Sequence, residues 1–218
     1  MGFPVVTCTL ALLGLLSLAP AAAQTASNLS LNAQLLVAAR QGDGVAVERA
    51  LAQGAVPNSR NRLGKTPLLL AAEKGNDTLA APLLKAGADV NLASLEGVTP
   101  LMAASYGGHA LLARRLLDAG ALTAPIDRMK KPAIVYAAGQ GHVDVLVLLL
   151  ERGVPIDGAY ENDLTALMWA AGQGHAGAVK LLLSRRADRA LRDARGLTAA
   201  QIALQAGYAD LAALLTAP

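Results

Sequence analysis

A glycine recurs every 33 residues along this chain, and this regular spacing constrains the fold more than any other feature. A fixed period repeated over most of a chain is typical of stacked structural units and not of a single globular enzyme core. We therefore expect a repeat architecture in which each unit contacts only its neighbours. The glycines are Gly42, Gly75, Gly108, Gly141, Gly174 and Gly207, and an alanine lies four positions before each, at Ala38, Ala71, Ala104, Ala137, Ala170 and Ala203.

Each unit contains two apolar segments with the recurring glycine between them. The first segment is TPLLLAAEKGN from Thr66 and TPLMAASYGGH from Thr99, and later copies begin at Pro132, Thr165 and Thr198. A threonine in this position can cap a helix, and a proline directly after it lies where a missing N–H costs nothing. The glycine then predicts the helix end, because glycine enters a left-handed turn without a Cβ penalty.

The second apolar segment predicts a second helix whose leucines face the core. A further glycine column should end this helix at Gly54, Gly87, Gly120 and Gly153, whereas Arg186 occupies the position in the next unit. We therefore expect the last complete unit to end less regularly. The leucine pairs are Leu83 and Leu84, Leu116 and Leu117, Leu149 and Leu150, and Leu182 and Leu183.

The period and the TPL motif resemble the ankyrin repeat family over roughly residues 31–217. The resemblance implies an all-α fold, a solenoid of about six helix-turn-helix units joined by finger-like loops. It divides the domain 31–218 into an N-terminal cap, 31–53, internal repeats, about 54–186, and a C-terminal cap, about 187–217. The histidine of the family's TPLH motif is absent, so we expect apolar packing to replace its hydrogen bonds. Its position holds Leu69, Met102, Val135, Met168 and Gln201.

The third copy departs most from the motif, because Lys130-Lys131-Pro132 replaces the usual threonine and proline. We expect the loop before it, residues 123–126, to be irregular.

The N-terminal segment, residues 1–23, differs from the rest of the chain. Residues 5–19 form an uncharged apolar run, and three alanines end at Ala23. This arrangement is typical of a secretory signal peptide, cleaved between Ala23 and Gln24 and followed here by a short linker, 24–30. No lysine or arginine precedes the apolar run, so an uncleaved anchor and a wrongly chosen start codon remain alternatives.

Cleavage of this signal would remove Cys8, the one cysteine of the chain. The mature protein would then have no disulfide, no thiol nucleophile and no thiolate metal site. The missing cysteine and the abundant alanine favour a bacterial periplasm, or secretion, as its location. We expect no association with a membrane after cleavage.

The histidines His109, His142 and His175 occupy the same position in successive units and do not predict a metal site. Equivalent positions of stacked helices are about 8–10 Å apart, whereas zinc binds nitrogen at about 2.1 Å. Neighbouring histidines of this column therefore cannot share one ion, and we interpret them as helix-start residues that bond local backbone.

No sequence pattern indicates catalysis or cofactor binding. The GxGxxG string at 172–177 follows a predicted helix instead of a strand, and part of it recurs at 139–142, so it predicts an inter-helix turn. The motifs GxSxG and HExxH are absent. Carboxylates such as Asp127 and Asp193 are scattered singly, and we expect them to be solvated. We expect no enzyme activity, no metal and no cofactor.

Stacked repeats create a continuous surface lined by the first helices and the fingers, and the family resemblance implies that partner contacts lie there. Counted in register, the fingertips fall at 60–63, 93–96, 126–129, 159–162 and 192–195. Their charge alternates between basic and acidic blocks, which suits a specific protein partner better than a polyanion. The formal net charge of +3 is likewise mild for a nucleic-acid binder. The charged candidates are Arg60, Arg62, Lys65, Lys74, Glu96, Arg128, Lys130, Glu161, Arg192 and Arg195.

Aromatic residues complete the candidate set, because tryptophan and tyrosine dominate binding hot spots. Tyr136 and Trp169 occupy the same repeat position, so they either form such a hot spot or fill the seam between first helices. We expect Tyr106 and Tyr160 to be exposed and Tyr208 to pack in the C-terminal cap.

These features together predict a non-enzymatic protein-binding module that is a monomer by itself and binds neither nucleic acid nor membrane. We expect a periplasmic scaffold that holds or protects another exported protein. Two alternatives are an inhibitor of a periplasmic or foreign enzyme and a secreted effector that binds host proteins. A small-ligand binder or an enzyme would require a deep polar pocket, which alternating surface charges do not suggest.

Overall fold

The computed structural model describes the backbone of residues 21–216 and the side chains of residues 31–216. Most of the predicted signal peptide therefore lies outside the described residues, and its last three residues begin the first helix, which also includes the predicted linker 24–30. The described range contains α-helices, one short 3-10 helix at Glu161–Asp163, and no strand. The helices are α1 Ala21–Gln41, α2 Gly44–Ala52, α3 Pro67–Lys74, α4 Asp77–Lys85, α5 Pro100–Gly107, α6 Ala110–Asp118, α7 Ala133–Gly139, α8 Val143–Glu151, α9 Ala166–Gly172, α10 Ala176–Ser184, α11 Ala199–Gln205 and α12 Ala209–Thr216.

The helices form two layers. The odd-numbered helices, here called the inner helices, pack against one another in chain order from α1 to α11, and α2 to α10 pack likewise in an outer layer. Each inner helix also packs against the outer helix that follows it. Six such pairs confirm the predicted all-α solenoid. Five fingers join them, at residues 60–65, 93–98, 126–131, 159–164 and 192–197, and we call the surface made by fingers and inner helices the finger face.

Threonine caps begin most inner helices as the sequence predicts. The hydroxyl of Thr66 accepts a hydrogen bond from the backbone N–H of Leu69 at 3.1 Å. In two repeats the residue at the position of the missing family histidine bonds the cap residue in return. Sδ of Met102 accepts a hydrogen bond from the N–H of Thr99, and Oε1 of Gln201 accepts one from the N–H of Thr198. The expectation that only apolar packing replaces the histidine is therefore wrong for these two repeats.

The first glycine column is required by both backbone conformation and close packing. Gly141 has a φ of 75°, and Nδ1 of His175 lies 2.6 Å from the place a Cβ atom would take. A side chain at Gly141 would collide with that ring as well as strain the backbone. The same contact recurs along the stack, with His109 on Gly75, His142 on Gly108 and Tyr208 on Gly174.

The histidines of this column connect neighbouring repeats. Nε2 of His142 lies 2.9 Å from the carbonyl oxygen of Tyr106, and Nε2 of His175 lies 3.0 Å from that of Gly139. These histidines do begin outer helices, as predicted, but their side chains bond the preceding repeat and not the local backbone.

The second glycine column ends the outer helices, and Arg186 fits into it. Arg186 has a φ of 68°, close to the 79° of Gly153. The N–H of Ala187 donates to the carbonyl of Leu182 at 3.0 Å, as that of Val154 donates to Leu149. The predicted irregular end of this repeat is therefore wrong, because arginine adopts the left-handed conformation.

The core runs the length of the stack between the two layers. The first leucine of each predicted pair is fully buried, at Leu83, Leu116, Leu149 and Leu182, whereas only Leu117 among the second leucines is buried. None of the helices within residues 21–216 combines the length and hydropathy that a membrane crossing requires.

Candidate functional site

A buried polar residue shapes several fingers. Oδ1 of Asp127 accepts hydrogen bonds from the N–H groups of Met129 and Lys131, each at 2.9 Å. Asn61 and Asp193 close the second and sixth repeats' fingers in the same way. Asp127 is 8% exposed and Asp193 is 6% exposed. The expectation that these carboxylates are solvated is therefore wrong, because the finger turns enclose them.

The charge state of Asp193 is set by competing effects. Burial alone would raise the pKa of its carboxyl, but hydrogen bonds from the N–H of Leu197 and from the Arg195 guanidinium favour the carboxylate, and the net pKa is lowered. Arg195 donates to Oδ2 of Asp193 through Nε at 2.9 Å and Nη2 at 2.7 Å. This candidate for partner contact thus already has an intramolecular partner.

Backbone hydrogen bonds join the tips of neighbouring fingers except at one place. The N–H of Leu95 donates to the carbonyl of Leu63, and that of Arg128 to Glu96, both at 3.0 Å. The equivalent bond from Glu161 to Met129 is missing from the described fingers. The backbone of the following finger is irregular at Asn162, which has a φ of 57°. Lys130 and Asp163 also have positive φ angles, but they share them with the glycines at the same register position of the other fingers. The predicted irregularity at 123–126 is confirmed, since this segment has a single bend where the other repeats have a turn.

Four of the charged candidates pair with each other across adjacent fingers. Nη1 of Arg128 lies 3.2 Å from Oε1 of Glu96, and Nζ of Lys130 lies 3.0 Å from Oε2 of Glu161. Exposed pairs of this kind contribute about 0–1 kcal/mol, so a partner can replace them at little cost. The opposite charges of neighbouring fingertips therefore partly neutralise each other, although the side chains are exposed to solvent.

The remaining charged candidates have mixed surroundings. Lys65 pairs with Glu73 at 2.6 Å, and Arg192 donates to the carbonyl of Gly196 at 2.7 Å. Arg60 donates to the carbonyls of Gly64 and Ala93, which ties two fingers together. Arg62 and Lys74 are exposed at the N-terminal end of the finger face.

Three aromatic side chains cluster on the inner helices of consecutive repeats. The rings of Tyr106 and Tyr136 meet edge to face, with centroids 5.8 Å apart and planes at 84°. Tyr106 is 56% exposed, whereas Tyr136 and Trp169 are half-buried against the core. Tyr136 also donates its hydroxyl to Asp127, and burial, followed by this bond, raises its pKa. Tyr136 and Trp169 thus fill the inner-helix seam and reach the surface as well.

Lys131 completes this cluster and is not among the site residues predicted from the sequence. Its Nζ lies 4.3 Å from the centre of the Trp169 ring, a cation–π contact. The indole Nε1 of Trp169 is buried and has no hydrogen-bond partner within the described structure. The signal that could have found Lys131 is its register, since it lies one repeat after Val98 at the edge of the same inner-helix surface.

Two shallow pockets lie beside the aromatic cluster. The first, which we call the cationic pocket, has a volume of about 180 Å³. The second, the apolar socket, has a volume of about 380 Å³ and lies one repeat closer to the N-terminus. The cationic pocket is lined by Tyr106, Lys131, Tyr136, Gln140, Trp169 and Gln173, and the apolar socket by Glu73, Val98, Met102, Ala103, Tyr106 and Tyr136.

A further cavity and the two other tyrosines lie outside the aromatic cluster. A cavity of about 590 Å³ is formed by the turns and outer helices of the last two repeats around Tyr208, which is 41% exposed and lies on Gly174. Tyr160 was expected to be exposed, but it is half-buried against the core and burial raises its pKa. Within the described residues, no three histidine, cysteine or carboxylate side chains are grouped to hold a metal ion.

Comparison with known families agrees with the repeat architecture. A family model described as ankyrin repeats matches three overlapping copies, at residues 35–127, 70–158 and 134–218. No curated protein matches the chain. The three copies together cover nearly all of the described helices, and the threonine caps, glycine turns and fingers recur in register within them. The chain therefore belongs to the ankyrin repeat family.

Proposed function

We propose that this chain is a non-catalytic, exported scaffold in the bacterial periplasm. Its finger face binds another exported protein, which the scaffold holds or protects. Ankyrin repeats generally mediate protein–protein interaction. The export part of the proposal rests on the apolar run and the alanines of residues 1–23.

The observation that carries the binding surface is the aromatic cluster of Tyr106, Tyr136 and Trp169. Large aromatic side chains that reach the surface from a rigid element supply contact area at a low cost in conformational entropy. Here the rigid element is the stack of inner helices, and half-burial of Tyr136 and Trp169 fixes their orientation before a partner arrives.

Crosslinking in the native host tests this proposal. A tagged full-length chain is crosslinked in cells, and captured proteins are identified by mass spectrometry beside a Tyr136→Ala, Trp169→Ala double variant. The matched control is Leu111→Ala, which removes an exposed apolar side chain from outer helix α6. Circular dichroism and thermal unfolding establish which variants keep the fold.

We expect one dominant exported protein with the original chain and with Leu111→Ala, and its loss with the double variant. A diffuse list that is the same for all three proteins would contradict the proposal. Cell fractionation and N-terminal sequencing of the same tagged chain test the location, with a mature terminus at Gln24 as the expected result.

A further inference from the structure

The apolar socket and the cationic pocket are the same site in two successive repeats. A shift by one repeat converts Val98 into Lys131, Ala103 into Tyr136 and Tyr136 into Trp169. The two pockets therefore have equivalent positions on neighbouring inner helices but different chemistry. A ligand that crosses both must present two different groups at a fixed separation.

The cationic pocket presents hydrogen-bond donors that no protein group uses. Lys131 contacts no carboxylate among the described residues, and its ammonium group is held over the Trp169 ring. The Tyr106 hydroxyl and the side-chain amides of Gln140 and Gln173 likewise have no hydrogen-bond partner in the described structure. One cation surrounded by unpaired donors is complementary to a carboxylate.

The apolar socket lacks such groups at the equivalent positions. Val98 replaces the lysine, and Ala103 replaces the larger tyrosine, which leaves an open volume of about 380 Å³ above Met102. The one charged group at its edge, Glu73, is paired with Lys65 at 2.6 Å. The socket is therefore complementary to an apolar side chain.

The spacing of the pockets limits the backbone that can fill both. Neighbouring packed helices are about 8–10 Å apart, and three residues of a polyproline II segment span about 9 Å and return a side chain to the same face. Two residues that are three apart in such a segment can thus enter adjacent pockets.

The charge of the whole finger face favours an acidic ligand. Inner helices and fingers carry ten of the 19 basic side chains but only six of the 16 acidic ones. The excess of positive charge of the chain therefore lies on this face, where it would attract an anionic segment over the range of a Debye length.

We propose that the finger face binds an extended segment of its partner in which an apolar side chain and an aspartate or glutamate are three residues apart. The apolar side chain enters the apolar socket, and the carboxylate enters the cationic pocket to bond Lys131. This inference rests on the proposed function and names the chemistry of its partner. The carboxylate belongs to a side chain and not to a chain terminus, because the pocket offers side-chain donors and not the backbone N–H groups that capture a terminus.

The only tryptophan of the chain makes a direct test possible, since Trp169 gives a single indole N–H resonance in a ¹⁵N–¹H spectrum. The probes are twelve-residue, acetylated and amidated peptides with leucine and glutamate three apart, one in each order. Each has an analogue with glutamine for glutamate and another with alanine for leucine. A last peptide lacks the glutamate and has a free terminal carboxylate.

We expect one of the two leucine–glutamate peptides to shift the indole resonance saturably. Its Kd should be about tenfold below that of its glutamine analogue, as expected for the loss of one charged hydrogen-bonded contact. Equal Kd values for glutamate and glutamine, binding by the free-carboxylate peptide alone, or no shift with either order would overturn the inference.

Matched variants locate the contacts. Lys131→Met should raise the Kd about tenfold, whereas Lys130→Met, which alters the neighbouring exposed lysine paired with Glu161, should raise it far less. Ala103→Leu fills the socket with the residue that the preceding repeat has at Leu70 and should abolish the preference for leucine. Its control is Ala81→Leu, on the exposed side of α4. Equal effects of Lys130→Met and Lys131→Met would contradict the assignment.

The crosslinking experiment separates this inference from the proposed function. If Lys131→Met retains the cellular partner that the aromatic double variant loses, the binding surface stands and the acidic-segment inference fails. If no partner is captured although the peptides bind, the chemistry of the pockets stands and the scaffold function fails.

Discussion

Arg186 stands where the four preceding repeats have glycine, and it takes the left-handed backbone conformation that glycine takes there. For a residue with a Cβ atom, this conformation costs about 1–2 kcal/mol. The surrounding repeat enforces it, because the turn must return the chain to the next finger whatever residue occupies the position. The backbone is therefore strained at Arg186, and comparison with the glycines of the other repeats identifies the position.

Replacing that arginine should stabilise the protein. We expect Arg186→Gly to raise the free energy of unfolding by about 0.5–1 kcal/mol, since relief of the backbone strain exceeds the entropy that glycine adds to the unfolded chain. Urea unfolding followed by circular dichroism measures the change.

The control for this prediction is Gly153→Ala, where a Cβ atom would meet nothing within 4 Å and only the backbone matters. It should destabilise the protein by about 1 kcal/mol. An Arg186→Gly variant no more stable than the original chain would mean that the arginine side chain makes compensating contacts.

At the scale of elements, a side-chain acceptor inside the turn shapes several of the fingers, and Asp193 is the clearest case. Its carboxylate accepts two backbone N–H groups of its own turn and the Arg195 guanidinium. Asn61 shows that an amide can close the same turn without charge. In these fingers the acceptor holds the turn, and in Asp193 the charge adds the link to Arg195.

Two substitutions separate these contributions. Asp193→Ala leaves two N–H groups of the turn without an acceptor and should cost about 1–3 kcal/mol, whereas Asp193→Asn should cost less than about 1 kcal/mol. Thermal unfolding of the two variants measures the difference. Equal destabilisation by alanine and asparagine would show that the charge, and not the acceptor, holds the finger.

The acid dependence of stability follows from the same residue. The pKa of Asp193 is lower in the folded protein than its ordinary value of 3.8. Its contribution is therefore complete above that ordinary value and is lost as pH falls toward the lowered pKa. We expect the original chain to lose more stability below pH 4 than Asp193→Asn does, as measured by urea unfolding between about pH 2 and 6. Parallel curves would contradict this assignment.

Elements were predictable from the sequence where local chemistry decides them. Thr66, Thr99 and the glycine columns determine helix starts and ends by contacts within a few residues. The burial of Asp127 was not predictable, because it depends on a turn in which the N–H groups of Met129 and Lys131 converge on its carboxylate. The role of Lys131 was not predictable either, because it depends on the ring of Trp169 in the next repeat.

At the scale of the whole molecule, the stack is held together by contacts between neighbouring repeats, and its ends have a neighbour on one side only. The last pair, α11 and α12, leaves Leu204 61% exposed and Tyr208 41% exposed. In the middle, α7 and α8 are flanked by repeats on both sides. Stability should therefore fall toward the C-terminal end.

Native-state hydrogen exchange tests this gradient. We expect amides of α12 to exchange by local opening at a lower free energy than amides of α8. Exchange of both helices at one common free energy would show that the array opens as a single cooperative unit.

A ring-on-glycine contact recurs at four of the five boundaries between the described repeats, and at the first boundary Asn76 lies against Gly42 instead. His109, His142, His175 and Tyr208 each cover a glycine of the unit before it. Recombination between such similar coding units can therefore add or remove a whole repeat without remaking a junction. The difference between Val98 and Lys131, in contrast, belongs to individual units. A gene of this design can relocate or duplicate its recognition element while inheriting an intact fold.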